Sequence, residues 1–308
     1  MRQITRRLLQ VRQVDVFTTT PLAGNPLAVV LHASQLSGEE MQRIAREMNI
    51  SETTFVLPPT SSDATYRKRI FTPETEIPFA GHPSIGTAFV LAEEGAFPLQ
   101  EPVTVVRQEI GIGVLPIELR VKDGKVDWVL MTQGHPTLQE VVYVGRIARL
   151  LGLEPTDITD TGLPPQVAST GLRQLMVPVR DLGLVQHIRP SLFELKDYLA
   201  ERRIVTVTVF SRETLTKEAY VHARVFAPEA GITEDPATGS AAGALGAYLT
   251  HWNELPSDES TVSFTIEQGY EINRPSTIWV EVTREQRTPT MVRVGGSAVT
   301  VLRGELIV

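Results

Sequence analysis

The sequence predicts an α+β protein made of two similar domains, each a set of short strands around one buried helix. The first observation is length: 308 residues is about twice the ~150 of an average domain. The second is an internal match. Arg69-Ile-Phe-Thr-Pro-Glu-Thr-Glu-Ile77 aligns with Arg224-Val-Phe-Ala-Pro-Glu-Ala-Gly-Ile232 at a shift of 155, with Arg, Phe, Pro, Glu and the closing Ile identical. At that shift Thr53 meets Thr208 and Phe55 meets Phe210. The unit is far longer than the ~20–50 residues of a solenoid repeat, so two domains about a pseudo-twofold axis are expected. The third is that each copy of the match runs into a helix of small and apolar residues, Pro83 to Glu94 and Ala237 to Trp252.

In the first half, β-branched or aromatic runs bounded by Pro, Gly, Asn or Ser predict strands at Val14–Phe17, Leu27–Leu31, Glu52–Leu57, Ala64–Phe71 and Val103–Val106. The second half repeats this with Leu175–Val179, Ile204–Phe210, Ala219–Phe226, Val262–Ile266 and Ile278–Val282. Further helices are expected at Ser37–Met48, Leu138–Leu151 and Ser191–Glu201. After the turn Lys122-Asp-Gly-Lys125 the boundary is set at 128, giving domains 1–128 and 129–308. The strand-like run Val292–Val308 is able to pair with either half, and so to return to the first domain.

Composition narrows the function. Lys+Arg 29 against Asp+Glu 36 gives a formal charge of −7, which argues against nonspecific binding of nucleic acid or an anionic membrane. There is no apolar run of transmembrane length, and Met1 to Gln13 is polar and Arg-rich, unlike a signal peptide. A cytoplasmic location is the expectation. With no cysteine, disulfides, thiolate nucleophiles and Cys-ligated metals are excluded. The six histidines lack metal-ligand spacing. Gly111-Ile-Gly113 lacks the third glycine of a dinucleotide fingerprint, and Gly81-His-Pro-Ser84-Ile-Gly86 misses a nucleophile elbow by one residue.

The two Gly/Ala helices carry the functional signal. Pro83 is expected at the first helical residue of one, and Asp235 is expected to N-cap the other ahead of Pro236. Both are apolar or small on every face, which predicts burial all round. A buried helix start presents unpaired N–H groups and the positive dipole end, a ready seat for a carboxylate or phosphate. Packing alone would also explain small residues. The polar residues His82 in one start and Asp235, Thr238 and Ser240 in the other favour a ligand. His32, His135, His187, His222 and His251 are read as surface or satisfied histidines. Glu52 opens an apolar and hydroxyl-bearing strand, and at the shift of 155 it faces Val207. A carboxylate present in one copy only, with partial desolvation raising its pKa, suits a one-base proton shuttle. An exposed strand-end charge is the alternative. Glu74 and Glu229 follow Pro in both copies and are assigned to turn geometry.

These residues carry a resemblance. Asp15-Val-Phe, Gly24-Asn-Pro-Leu-Ala-Val-Val30, Asn49-Ile-Ser-Glu-Thr-Thr-Phe-Val56, Arg69 to Pro83 and Glu234-Asp-Pro-Ala-Thr-Gly-Ser-Ala241 together resemble the PhzF-like phenazine-biosynthesis family, from about Gln13 to Val308. The resemblance implies a diaminopimelate epimerase-like fold, two β-barrel-like sheets each around a central helix with the site between them. It implies that Glu52 is the catalytic carboxylate, that His82 and Asp235 assist it, and that Gly81, Gly239 and Ser240 bind the substrate carboxylate. It implies no metal or organic cofactor and a homodimer. The epimerase relatives use two cysteines at the helix starts; their absence here excludes a two-thiol racemase.

The expected function is therefore isomerisation of a small carboxylate-bearing metabolite, of the trans-2,3-dihydro-3-hydroxyanthranilate isomerase type. Two rivals stand beside it. One is a carboxylate-binding protein on the same fold that catalyses nothing. The other is a hydrolase using Ser240 or Ser84, for which no histidine relay is evident.

Overall fold

The computed structural model describes residues 7–308, so the first six residues of the polar N-terminal stretch lie outside the described residues. The described residues form two compact units, one reaching to 131 and including 296–308, the other 132–295. The first contains β1 (Leu8–Val16), β2 (Asn25–Val30), α1 (Gly38–Met48), β3 (Glu52–Leu57), β4 (Tyr66–Phe71), β5 (Glu76–Ile77), α2 (Gly81–Glu93), β6 (Val103–Ile110), β7 (Gly113–Lys122) and β8 (Lys125–Thr132). The second contains β9 (Thr137–Val141), α3 (Val144–Leu151), α4 (Pro155–Thr159), β10 (Gln166–Ser169), β11 (Arg173–Pro178), α5 (Leu182–His187), α6 (Leu192–Glu201) and β12 (Thr206–Ser211). It continues through β13 (Val221–Ala227), β14 (Ile232–Asp235), α7 (Gly239–His251), β15 (Thr261–Gln268), β16 (Ser276–Glu285) and β17 (Thr288–Gly296). The closing strand β18 (Ala298–Ile307) belongs to the first unit.

Strand pairing shows the duplication directly. In the first unit β18 pairs antiparallel with β1, β1 with β2, β2 parallel with β3, β3 antiparallel with β4, β4 antiparallel with β5 and parallel with β6, and β6, β7 and β8 follow as an antiparallel meander. The second unit repeats every step with β9 to β17, β9 standing where β18 stands. The central helices match as well. α2 packs on β1, β2, β3, β7 and β18, and α7 packs on the equivalent β10, β11, β12, β16 and β9.

The central helices are buried almost throughout, His82 to Ala92 in α2 and Ala241 to Thr250 in α7. Their glycines are explained by close approach. A Cβ on Gly86 would lie 2.7 Å from Leu27 and 2.8 Å from Val16, and one on Gly246 would lie 2.9 Å from Val280. The outer faces of the sheets carry separate cores. Phe55 and Phe71 meet edge to face at 5.4 Å under α1, and Val207, Val209 and Phe226 pack under α3, α5 and α6. α1 begins with a capping box, Ser37 accepting from the Glu40 N–H while Glu40 accepts from the Ser37 N–H.

Several expectations need correcting. The helix expected over Leu138–Leu151 is a strand over Thr137–Val141 and then α3 from Val144, because β9 pairs with β10. α2 begins at Gly81, so Pro83 is its third residue, whose N–H would be an orphan in any case. Asp235 does not cap α7: it ends β14, and Thr238 occupies the N-cap. The counterpart of Glu52 also shifts. β3–β4 pairs Thr53 with Phe71, and β12–β13 pairs Val207 with Phe226. With Phe71 and Phe226 equivalent by the repeat, Thr53 corresponds to Val207 and Glu52 to Thr206. Successive strand residues face opposite ways, so Glu52 and Thr206 share the face turned to the central helix.

Candidate active site

In the first unit the structure brings Glu52 and His82 together. Glu52 is the first residue of β3, paired in register with Leu27 of β2, and its side chain is about nine-tenths buried. His82 is the second residue of α2 and 6% exposed. Its Nε2 lies 3.3 Å from Oε2 of Glu52. The ring hydrogen-bonds to the Pro26 carbonyl, a contact that requires an N–H. Nε2 faces Glu52, so Nδ1 is that donor and the neutral ring presents its Nε2 lone pair to the carboxyl group. Burial, helped by the charge of Lys68, drives His82 down to about 3, the Pro26 carbonyl opposing. The imidazole is therefore neutral at physiological pH. One further proton placed on Glu52 would sit in an O–H···N hydrogen bond, so the pair is built to hold a proton that Glu52 has captured.

Gly81 adjoins His82 in the first turn of α2, where the N–H groups have no intrahelical partner. In the second unit Gly239 and Ser240 are the first two residues of α7. Asp235 is 7% exposed, and its carboxylate accepts from the Thr238 hydroxyl. The loop is braced by Gln268, whose Nε2 donates to the Asp235 carbonyl at 2.7 Å and whose Oε1 accepts from the Thr238 N–H at 3.2 Å. Aligning the helix starts, Gly81 corresponds to Gly239 and His82 to Ser240. The two starts therefore share a backbone and differ in chemistry.

Sequence reasoning missed Lys68 and Gln268, and it weighed Ser84 only as a hydrolase nucleophile. Lys68, on β4, is 1% exposed and donates to Ser84 on α2 at 3.1 Å. The signal was available: Lys68 stands between outward Arg67 and Arg69, and its repeat partner is Ala223. His32, His135, His187 and His251 are exposed. His222 is fully buried between Glu267 and Glu271, each 2.8 Å from a ring nitrogen, a satisfied structural histidine. Among the described residues no group of His, Asp and Glu has the arrangement of a metal site, and no helix is long and apolar enough to cross a membrane.

The comparisons agree with this architecture. The chain is 38% identical over 307 residues to an uncharacterized isomerase from Mesorhizobium japonicum, covering 96% of this chain and 97% of that one. It is 35% identical over 291 residues to the trans-2,3-dihydro-3-hydroxyanthranilate isomerase of Pseudomonas aeruginosa, covering 94% of this chain and 96% of that one. The crystal structure of a PhzF-family phenazine biosynthesis protein from Bacillus anthracis superposes with a TM-score of 0.88 at 32% identity, over 98% of this chain and all of the other. The family model PhzC-PhzF, described as phenazine biosynthesis-like protein, matches residues 14–304. A repeated sheet around two buried helices, with these relatives along its whole length, belongs to a member of the PhzC-PhzF family of phenazine biosynthesis-like proteins.

Proposed function

We propose that the protein is an isomerase that moves a proton between carbons of a small carboxylate-bearing metabolite, of the trans-2,3-dihydro-3-hydroxyanthranilate isomerase type. The observation that carries this is the buried Glu52–His82 pair, 3.3 Å apart, at a position where the duplicated strand has Thr206. The isomerase names of the relatives favour it over a protein that only binds.

In the proposed reaction the Glu52 carboxylate removes a proton from a substrate carbon. The C–H electron pair enters the substrate's conjugated system, and the protonated Glu52 hydrogen-bonds to the neutral His82. Glu52, whose captured proton exchanges with solvent, then protonates a different carbon, restoring the carboxylate. The N–H groups of Gly81 and Gly239 and the hydroxyl of Ser240 bind the substrate carboxylate and stabilise charge that develops on it. Asp235 assists proton placement. Every group in the scheme belongs to the chain itself.

A homodimer and a cytoplasmic location belong to the same proposal. Sedimentation equilibrium checks the first: a mass near 68 kDa, twice the 34.0 kDa chain, is expected, and one chain mass contradicts it. The activity is tested by incubating the protein with trans-2,3-dihydro-3-hydroxyanthranilate and a panel of small cyclic and amino carboxylates. Isomerised product from at least one is expected. Carboxylate binding without turnover of any would favour the binding-only alternative.

A further inference from the structure

We propose that Lys68 is a positioning residue for the Glu52–His82 pair: its buried amine, anchored on Ser84 in the first turn of α2, keeps His82 from taking the proton that Glu52 carries. This rests on the isomerase function proposed above and extends it to a residue the sequence reading did not single out.

The geometry is specific. Lys68 points from β4 toward α2, its Nζ 3.1 Å from the Ser84 hydroxyl, which itself donates to the Ala80 carbonyl at 2.8 Å. Ser84 lies two residues beyond His82 on the same helix start. A fully buried amine is costly, and the duplicate shows that the fold does not need it. Tyr66, Lys68 and Gln108 line the inner face of the first sheet, with Tyr66 and Gln108 register partners. At the equivalent places the second sheet has Val221, Ala223 and Ile266, with Val221 and Ile266 likewise paired. All three are buried and apolar. One backbone packs around its central helix with hydrocarbon at these positions, so the lysine answers a need other than packing.

That need is visible in the proton arithmetic. A shuttle must return its proton to the substrate. Were His82 a stronger base, protonated Glu52 would hand the proton across the 3.3 Å gap and leave a buried carboxylate–imidazolium pair, a trap. The titratable groups on the elements packed against α2 are few. β3 supplies Glu52 and β4 supplies Tyr66 and Lys68. β1 supplies Arg12, salt-bridged to Glu94 beyond the far end of α2, and Asp15, which accepts from the Leu22 N–H at 2.7 Å. β7 carries Glu118, Arg120 and, at its exposed end, Lys122. β18 carries Glu305 and Arg303, the latter paired with Glu93 at the far end of α2. Burial pushes Lys68 well below the usual amine range, yet its charge is one of the forces holding His82 down. An amine held on Ser84, two residues beyond His82 on the same helix start, sets its positive charge against a second one on the imidazole.

The test uses full-length protein with Lys68→Met, which keeps the side-chain length and removes the amine, and Lys68→Arg, which keeps the charge. Ring-nitrogen NMR of His82 is followed against pH without substrate, with Tm as the check on folding. His82 is expected to stay neutral through pH 5 in wild type and Lys68→Arg. In Lys68→Met it is expected to titrate at least one pH unit higher than in wild type, a tenfold gain in proton affinity. With trans-2,3-dihydro-3-hydroxyanthranilate, the acid limb of kcat/KM is expected to move up with it, and kcat to fall while KM changes less than twofold. A folded Lys68→Met with an unmoved His82 titration overturns the inference. Because the titration is read without substrate, inactivity toward every carboxylate would sink the isomerase proposal separately. If Lys68→Met does not fold, the Nζ and imidazole titrations of wild type decide. Lys68 gaining its proton at higher pH than His82 supports the inference, and the reverse order overturns it.

Discussion

Glu52 and Thr206 occupy the same place in two copies of one strand, each facing the central helix of its own unit. Thr206 donates to Gln174 at 2.7 Å, an internal hydrogen bond of a packed sheet. Glu52 instead meets His82 at 3.3 Å. The fold is built twice and the carboxylate–imidazole pair once, so the pair is a departure from what the fold requires. Glu52→Thr, which installs the residue of the other copy, is accordingly expected to leave Tm within a few degrees of wild type while abolishing turnover. A large loss of Tm would show the carboxylate to be structural.

The helix–sheet contact at Gly86 is expected to be intolerant of even one carbon. A Cβ there would lie 2.7 Å from Leu27, 2.8 Å from Val16 and 3.1 Å from Val14. Overpacking of this kind costs about 1–3 kcal/mol, more than the ~0.5–1 kcal/mol that alanine gains in helix propensity. Chemical denaturation of Gly86→Ala should show a net loss of stability; a gain would mean that the sheet yields freely around α2.

The repeated arginines should differ sharply in worth. Arg224 pairs with Glu234 through Nε and Nη2 at 2.9 and 2.7 Å, and also donates to the carbonyls of Val185 and Ile188, all in buried surroundings. Arg69 makes the equivalent fork to Glu76 near the surface. Removing the first leaves the buried Glu234 carboxylate without its arginine, at a cost of about 3–5 kcal/mol. Removing the second costs about 1 kcal/mol or less. Urea midpoints of Arg224→Ala and Arg69→Ala make the comparison, and equal losses would refute it.

His222 gives the fold a defined pH dependence. Clamped between Glu267 and Glu271, it is pushed up from 6.5 to about 9 by their hydrogen bonds and charges, although burial opposes this. A raised pKa favours the folded state fully below about 6.5, and that contribution is lost as pH rises through about 9. The shift corresponds to about 3 kcal/mol. Glu267 and Glu271 are held below their ordinary value, so their contribution is present above about 4.5 and is lost as pH falls. Stability should therefore be greatest from about pH 5 to 6.5 and decline toward pH 9.5. Urea unfolding at pH 6 and pH 9.5 measures the decline, and equal midpoints would contradict the assignment.

Much of this was legible in the sequence because duplication writes itself twice. The match of Arg69–Ile77 to Arg224–Ile232 pointed to two copies, and the pairing order of β1–β8 and β10–β17 reproduces it strand for strand. An ungapped comparison could not show that the turn between β3 and β4 differs by one residue from that between β12 and β13. It therefore set Glu52 against Val207, and a slip of one residue in a strand reverses the face. Asp235 looked like a helix cap because a carboxylate before proline commonly is one; the strand pairing of β14 claims it instead. Residues 137–141 carry apolar spacing compatible with a helix, and pairing with β10 overrides it. Lys68 was overlooked for a different reason: lysine is almost always solvated, and its apolar counterpart Ala223 is the signal that it points inward.

The proton shuttle at Glu52 is tested most directly by isotope exchange. Wild type and Glu52→Gln are incubated in deuterium oxide with trans-2,3-dihydro-3-hydroxyanthranilate, and NMR follows isomerisation and the entry of deuterium at carbon. Turnover with carbon-bound deuterium in the product is expected for wild type, with both rates about 10²–10⁴-fold lower for a folded Glu52→Gln. A folded Glu52→Gln that isomerises at the wild-type rate would contradict the assignment of the base.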